Sequence, residues 1–419
     1  MDNEEYFDPQ GKKGLGFGKG VAVGALSMLL VASLAVGGIW LGVRARSQKP
    51  VVSKKEDGSK EAILQEGVEK KAGEIADLID QYYYEQIDKA ALVEGMYAGM
   101  VDGLGDPYSA YYTAEEYKSF NESTTGVYYG IGAVLTQNIN TKVVTILHVY
   151  PGTPAEEAGV KDGDVIVKVG DIEGDSMELS ELVTHIKGEE GTTVHLELLR
   201  SGEKDHVELD VERRQIEVPT VQQQMLEGNV GLVQISEFSE STPEQFSEAM
   251  EELKGQGMES VIIDLRDNPG GVLKSVCTML DAFLPEGILV YTEDKHGNRS
   301  DYKSDAKCMD IPMAVLINGN SASASEIFAG AIKDYNYGTL IGTTSFGKGI
   351  VQTIIPMTDG SAVKVTMAKY FTPNGNYIHD VGIAPDIELE YEYQGEDEIY
   401  NPMHDNQVLK ALEVLKGGE

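Results

Sequence analysis

Positive charge is scarce in this chain. Lysine and arginine total 34 against 69 aspartates and glutamates, a formal charge of -35, and so acidic a protein repels phosphate backbones, which leaves nucleic acid out of the expected partners. Cysteine is almost absent as well. Cys277 and Cys308 are the two present, with no Cys-x-x-Cys spacing, so neither a zinc site nor a disulfide framework is indicated. Of seven histidines, His148, His185, His195 and His206 show no ligand spacing, and His296 and His379 have no recognisable acidic partner for a Ser-His-Asp triad. The motifs His-Glu-x-x-His and Gly-x-Ser-x-Gly are both missing, which removes a zinc protease and an esterase-type elbow from consideration. No metal and no cofactor is expected.

What is present begins with Gly20 to Val43, 24 residues without a charge. As a helix this run reaches about 36 Å, enough to cross a bilayer, whereas the apolar part of a cleaved signal peptide is usually about 7 to 15 residues. The expectation is therefore a short cytoplasmic tail (1–19), a single membrane anchor (20–43) and a polar linker (44–60). Residues 61–124 carry apolar side chains at helical spacing, among them Ile75, Leu78, Tyr82, Leu92, Met96 and Met100, on amphipathic helices that are candidates for a homodimer contact. Residues 125–213 change to short strands separated by glycine turns, such as "TVHLELL" and "HVELDV", a β-rich module. From 214 to 419 near-continuous apolar strands alternate with helices, the pattern of an α/β core with parallel strands, whose sites lie beyond the strand ends.

Two stretches of that last region carry candidate chemistry. In "NGNSASASEIFAGAIKD", 318–334, Ser323 and Glu326 form Ser-x-x-Glu. That is a capping box on the bland reading; on the other, a hydroxyl at a helix start has free amides beside it to hold an oxyanion. Ser241 and Glu244 repeat the box with no sign of chemistry. In "GTTSFGKGIVQ", 342–352, Gly342 to Lys348 fits Gly-x-x-x-x-Gly-Lys, but Gly349 stands where a P-loop needs Ser or Thr. The alternative makes Lys348 a general base, which requires burial among groups such as Phe346 to lower an ordinary pKa of about 10.4. Lys348, Ile350 and Gln352 would share one face of a strand, as an exposed edge or as part of a site.

These two stretches, with "GLGDPYSAYYT", "YYGIGAVL", "YPGTPAEEAGVKDGDVIVKVGD", "IDLRDNPGG" and "YFTPNGNYIHDVGIAPDIEL", resemble the carboxyl-terminal processing peptidases, also called tail-specific proteases. The resemblance covers residues from about 61 to 390. It implies Ser323 as nucleophile, Lys348 as base and Gln352 as its support, with an oxyanion hole from the amides of Ala324 and of Gly270 or Gly271. It implies a crotonase- or caseinolytic-protease-like core and makes the β-rich module an inserted PDZ domain. That domain would bind peptides through Gly130, Ile131, Gly132, Ala133 and Val134 by strand addition. The family often has an Arg where this chain has Lys187, and often a Gln near His379, and no role is carried onto either residue. The implied activity is a serine endopeptidase acting near or from the free C-termini of protein substrates, with its domains outside the cytoplasm. The rival is a catalytically silent PDZ adaptor for protein C-termini at the membrane.

Overall fold

A computed structural model describes residues 66–395 and 400–417. Among the described residues no helix is long and apolar enough to cross a membrane. The expected fold is corrected accordingly: the described residues form an α/β core, a β-rich module and N-terminal helices, with no transmembrane helix among them. Even the helix Glu66–Tyr82 has only 17 residues and carries charges along its length, a pattern that cannot sit in hydrocarbon. The run 20–43, on which the expectation rested, lies outside the described residues.

The chain divides into two compact units, one formed by Lys118–Thr353 with the chain from Thr366 onward, the other ending at Tyr117 and including Ile354–Val365. In the latter, Asp88 caps the helix Lys89–Asp102 by accepting from the Ala90 and Ala91 amides at 2.9 and 3.0 Å. Thr113 and Glu116 make a reciprocal capping box: the Thr113 N–H donates to Glu116 Oε2 at 2.9 Å and the Glu116 N–H to Thr113 Oγ1 at 3.3 Å. The apolar positions Leu78, Tyr82, Met96 and Met100 stand exposed on these helices.

The larger unit holds the β-rich module and the α/β core. In the module, strands Ala133–Gln137, Val144–Val149, Val165–Val169, Thr193–Leu199 and Val207–Glu212 lie in that order in one antiparallel sheet. Their alternation puts Val144, Ile146, Leu196, Leu198 and Val211 into a shared core with Leu182 and Ile186 of the helix Leu179–Ile186. Ala133–Gln137 is an edge strand, and Leu179 at the start of that helix donates its N–H to Gln137 Oε1 at 3.0 Å.

The core sheet runs Val221–Leu226, Val230–Ile235, Ser260–Asp264, Met313–Ile317, Gly338–Gly342, Ile387–Glu388, parallel throughout except at the first, edge strand. Ser260–Asp264 and Met313–Ile317 are buried at every position, as near-continuous apolar runs in a sheet covered on both faces should be. One face packs on the helices Thr242–Gly255, Leu273–Asp281 and Ala324–Asp334, the other on Asn406–Leu415. Ser241, before the first of these, makes no side-chain cap; its hydroxyl meets Ser239 Oγ at 3.0 Å instead. A hairpin, Gly287–Asp294 with Arg299–Ser304, has no clear sequence signal, because its polar turn "EDKHGNRSD" hides the alternation.

The last helix is locked to the sheet by buried charge. Arg266 pairs with Asp264 at 2.6 Å and with Asp405 at 2.8 Å, with side chains 9%, 1% and 0% exposed, and Asp405 also caps the helix through the Gln407 amide at 2.9 Å. Removing the cation strands two desolvated carboxylates, so Arg266→Met should destabilise the protein by about 3–5 kcal/mol. A lowered urea midpoint checks this; an unchanged one removes the network from the account of stability.

Candidate active site

Ser323 lies between the buried strand Met313–Ile317 and the helix Ala324–Asp334, with φ 55° and ψ -111°. This is a conformation that side-chain-bearing residues rarely adopt, at a cost of about 1–3 kcal/mol, and it persists only where surroundings over-determine it. Here they do. The Ser323 N–H donates to Glu326 Oε2 at 2.9 Å, and the Ser323 carbonyl accepts from the buried Tyr370 hydroxyl at 3.1 Å. The flanking serines of the alternate set are structural: Ser321 Oγ donates to the Leu265 carbonyl at 2.8 Å and Ser325 Oγ to the Asn268 carbonyl at 3.0 Å, both fully buried. Ser323, between them, is half-exposed.

Glu326 does far more than cap. Fully buried, it accepts at Oε2 from the Ser323 amide and from the Lys348 amide at 2.8 Å, and at Oε1 from Ser345 Oγ at 2.6 Å and the Gly347 amide at 2.7 Å. Four donors satisfy a carboxylate that would otherwise be costly to desolvate. One oxygen thus holds the backbones of Ser323 and Lys348 together. Ser345 extends the network, since its hydroxyl also accepts from the Ile383 amide at 2.7 Å. The capping-box spacing signalled half of this; Ser345 and Tyr370 gave no local signal because their partners are remote in sequence.

Lys348 sits in the loop before the strand Ile350–Pro356 rather than on it, and is half-buried. Phe346, expected to help bury it, is 55% exposed. Gln352 is on the strand and half-buried, and its Nε2 is buried with no hydrogen-bond partner among the described residues.

The turn after Ser260–Asp264 backs onto Ser323. A Cβ on Gly270 would stand 2.6 Å from the Ala322 carbonyl oxygen and 2.8 Å from both the Ala324 nitrogen and Ser323 Cβ, so only glycine allows this approach, and its φ of 102° favours glycine too. The Gly270 N–H donates to Asn268 Oδ1 at 2.8 Å. Gly271 bridges to Phe238, and Ala324 supplies the first amide of its helix, a position with no intrahelical acceptor.

In the β-rich module, Gly130 ends the strand Val127–Gly130, and Ala133 and Val134 open the edge strand. Ile131 is buried in the module's core. The loop is pinned from behind, with the Ile131 carbonyl accepting from the Ala155 amide at 2.9 Å and the Gly132 carbonyl from the Tyr150 amide at 3.0 Å. Lys187 and His379 are engaged with Glu122 Oε2 at 2.6 Å and the Gly349 amide at 3.3 Å, respectively.

Comparison with known proteins finds three family models in the chain. Residues 229–389 match the model of peptidase family S41, residues 145–200 that of the PDZ domain, and residues 29–116 that of the activating protease CtpB N-terminal domain. The chain is 38% identical over 337 residues to the carboxy-terminal processing protease CtpA of Bacillus subtilis (strain 168), covering 80% of this chain and 71% of the relative. It is 36% identical over 356 residues to CtpB of the same organism, covering 81% and 73%. Among solved structures it is similar to the photosystem II D1 C-terminal processing protease, with 29% identity, a TM-score of 0.46, and 80% and 89% of the two chains covered. The chain belongs to peptidase family S41, and is a serine-type peptidase of the C-terminal processing kind with a PDZ domain.

Proposed function

We propose that Ser323 and Lys348 form a Ser-Lys catalytic pair and that the PDZ domain selects or gates substrate tails. The observation that carries this reading is Glu326, whose one oxygen fixes both backbones. Neutral Lys348 takes the Ser323 hydroxyl proton as Oγ attacks the scissile carbonyl; the tetrahedral intermediate collapses as the lysine returns the proton to the leaving amine, and water repeats the sequence to release the acyl group. Gln352 supports the lysine amine. Of the two glycines, Gly271 is the better oxyanion donor, because the Gly270 amide already serves Asn268; Ala324 supplies the second donor.

A lysine base acts only when neutral, so the rate should rise with pH and then level off, and Lys348→Arg, which keeps the charge, should lose about 10²–10⁴-fold in turnover while staying folded. Near-wild-type turnover in that variant excludes Lys348 as base.

The edge strand Ala133–Gln137 after the glycine loop supports tail binding, since an extended peptide can add to it. A peptide ending in a free carboxylate should bind more tightly than its amide, because loop amides stabilise the charge. Equal affinities by titration calorimetry would leave the domain without a tail-reading role.

A further inference from the structure

His379 fastens the loop that carries Lys348 by a bond that depends on its own charge. Its Nδ1 accepts from the Gly349 amide at 3.3 Å. A backbone N–H can only donate, so Nδ1 must be bare and the ring proton must sit on Nε2. The imidazolium carries a proton on both nitrogens, which would set two donors against each other at this contact. With 23% of its side chain exposed, the ring is open to exchange protons with water.

The contact bears on Lys348 from both ends of its short loop. The Asp380 N–H donates to the Gly347 carbonyl at 2.9 Å, so residues 379 and 380 hold the chain immediately before and after the base. A Cβ on Gly349 would stand 2.6 Å from the His379 nitrogen, which leaves no room for a side chain between the two backbones. The Gly349 carbonyl accepts from the Tyr370 amide at 3.0 Å, and the hydroxyl of the same tyrosine donates to the Ser323 carbonyl at 3.1 Å. A shift at Gly349 is therefore felt at both partners of the catalytic pair. Glu326 grips the same loop through the Gly347 and Lys348 amides; of the two grips, the imidazole is the kind of group that changes charge between about pH 5 and 8. Titratable and charged groups around the ring include Asp380, with Oδ2 4.0 Å from Nε2, the Tyr377 ring at 6.0 Å, and Lys369, whose ammonium lies 4.9 Å from the Tyr377 ring.

We propose that His379 is a positioning residue for the lysine base: its neutral Nδ1 holds the Gly349 amide, and with it the loop carrying Lys348, and protonation of the ring releases that hold. This rests on the Ser323 and Lys348 reading above.

The test is the pH profile of kcat/KM on a peptide without titratable side chains. Proton uptake by Lys348 alone gives a fall of unit slope toward acid. The wild type should show a further drop of about tenfold or more across the range in which imidazoles switch charge, because a small displacement of the base is enough for that. His379→Asn places an oxygen where Nδ1 stands and cannot be protonated there, so it should keep the unit slope throughout, while His379→Ala should lose about tenfold at every pH, a loss that His379→Asn recovers. In Ser323→Ala with 15N-labelled imidazoles, the resonance removed by His379→Asn should report a proton on Nε2 at neutral pH, a reading of the bond that needs no hydrolysis. That tautomer together with an acid drop abolished in His379→Asn, but with near-wild-type turnover in Lys348→Arg, would support the hold on the loop and count against the lysine as base. A proton on Nδ1 at neutral pH, an acid drop that survives His379→Asn, or one that tracks unfolding by circular dichroism overturns the proposal.

Discussion

With Ser323 replaced by alanine, peptide hydrolysis should fall by at least about 10⁴-fold, to a residue of catalysis from binding and oxyanion contacts alone. That loss corresponds to about 5 kcal/mol of transition-state stabilisation. A capping hydroxyl is worth at most about 0.5–2 kcal/mol of folding stability, so the two roles of Ser323 separate by magnitude and by observable. Alanine keeps the Cβ, and the contacts that hold the strained backbone, to Glu326 Oε2 and from the Tyr370 hydroxyl, involve only the main chain of residue 323. The variant should therefore unfold within a few degrees of the wild type, as about 1 kcal/mol predicts for a protein of this size. Thermal unfolding beside single-turnover kinetics checks both halves. A variant that is inactive because it is unfolded would return Ser323 to a structural role.

Glu326→Gln should affect stability and activity together. The carboxylate has four acceptor contacts and no donor to place. A carboxamide keeps one oxygen and turns the other position into a donor, facing either the amides of Ser323 and Lys348 or Ser345 and the Gly347 amide. The Ser345 hydroxyl can turn to accept, but a buried backbone N–H is left unpaired in either orientation. We expect a loss of about 2–4 kcal/mol in stability and about 100-fold in turnover, because a displacement near 1 Å between nucleophile and base is enough for that. The midpoint of urea unfolding and kcat are the readouts. Wild-type values for both would remove Glu326 as the element that sets Ser323 against Lys348.

Much of this was legible in the sequence where the pattern is local. "TVHLELL", "VGLVQI" and "MAVLI" became strands residue for residue, because alternation or an unbroken apolar run is bounded by turn residues. Parallel strands with sites beyond their ends imply that "DNPGG" and "NGNSAS" share one side of the sheet, and Gly270 does pack against Ser323. What escaped depends on long-range contact. Nothing near Glu326 indicates that its carboxylate reaches across to 345–348, and nothing near Gly270 indicates that its amide is taken by Asn268. The period-two spacing of Lys348 with Ile350 and Gln352 suits a strand, yet Gly347, with φ 89°, and Gly349 bracket Lys348 in a loop held by Glu326 and His379. Backbone geometry set by tertiary hydrogen bonds overrides the short-range pattern there.

The central claim, that Ser323 is a nucleophile activated by Lys348, is tested most directly by reaction with a serine-reactive phosphonate followed by peptide mass mapping. The account predicts a single adduct on the peptide containing Ser323, formed faster as pH rises, strongly slowed in Lys348→Arg and absent in Ser323→Ala. An unmodified Ser323 in folded wild-type protein that cleaves peptide, or an adduct rate indifferent to Lys348→Arg, would contradict it.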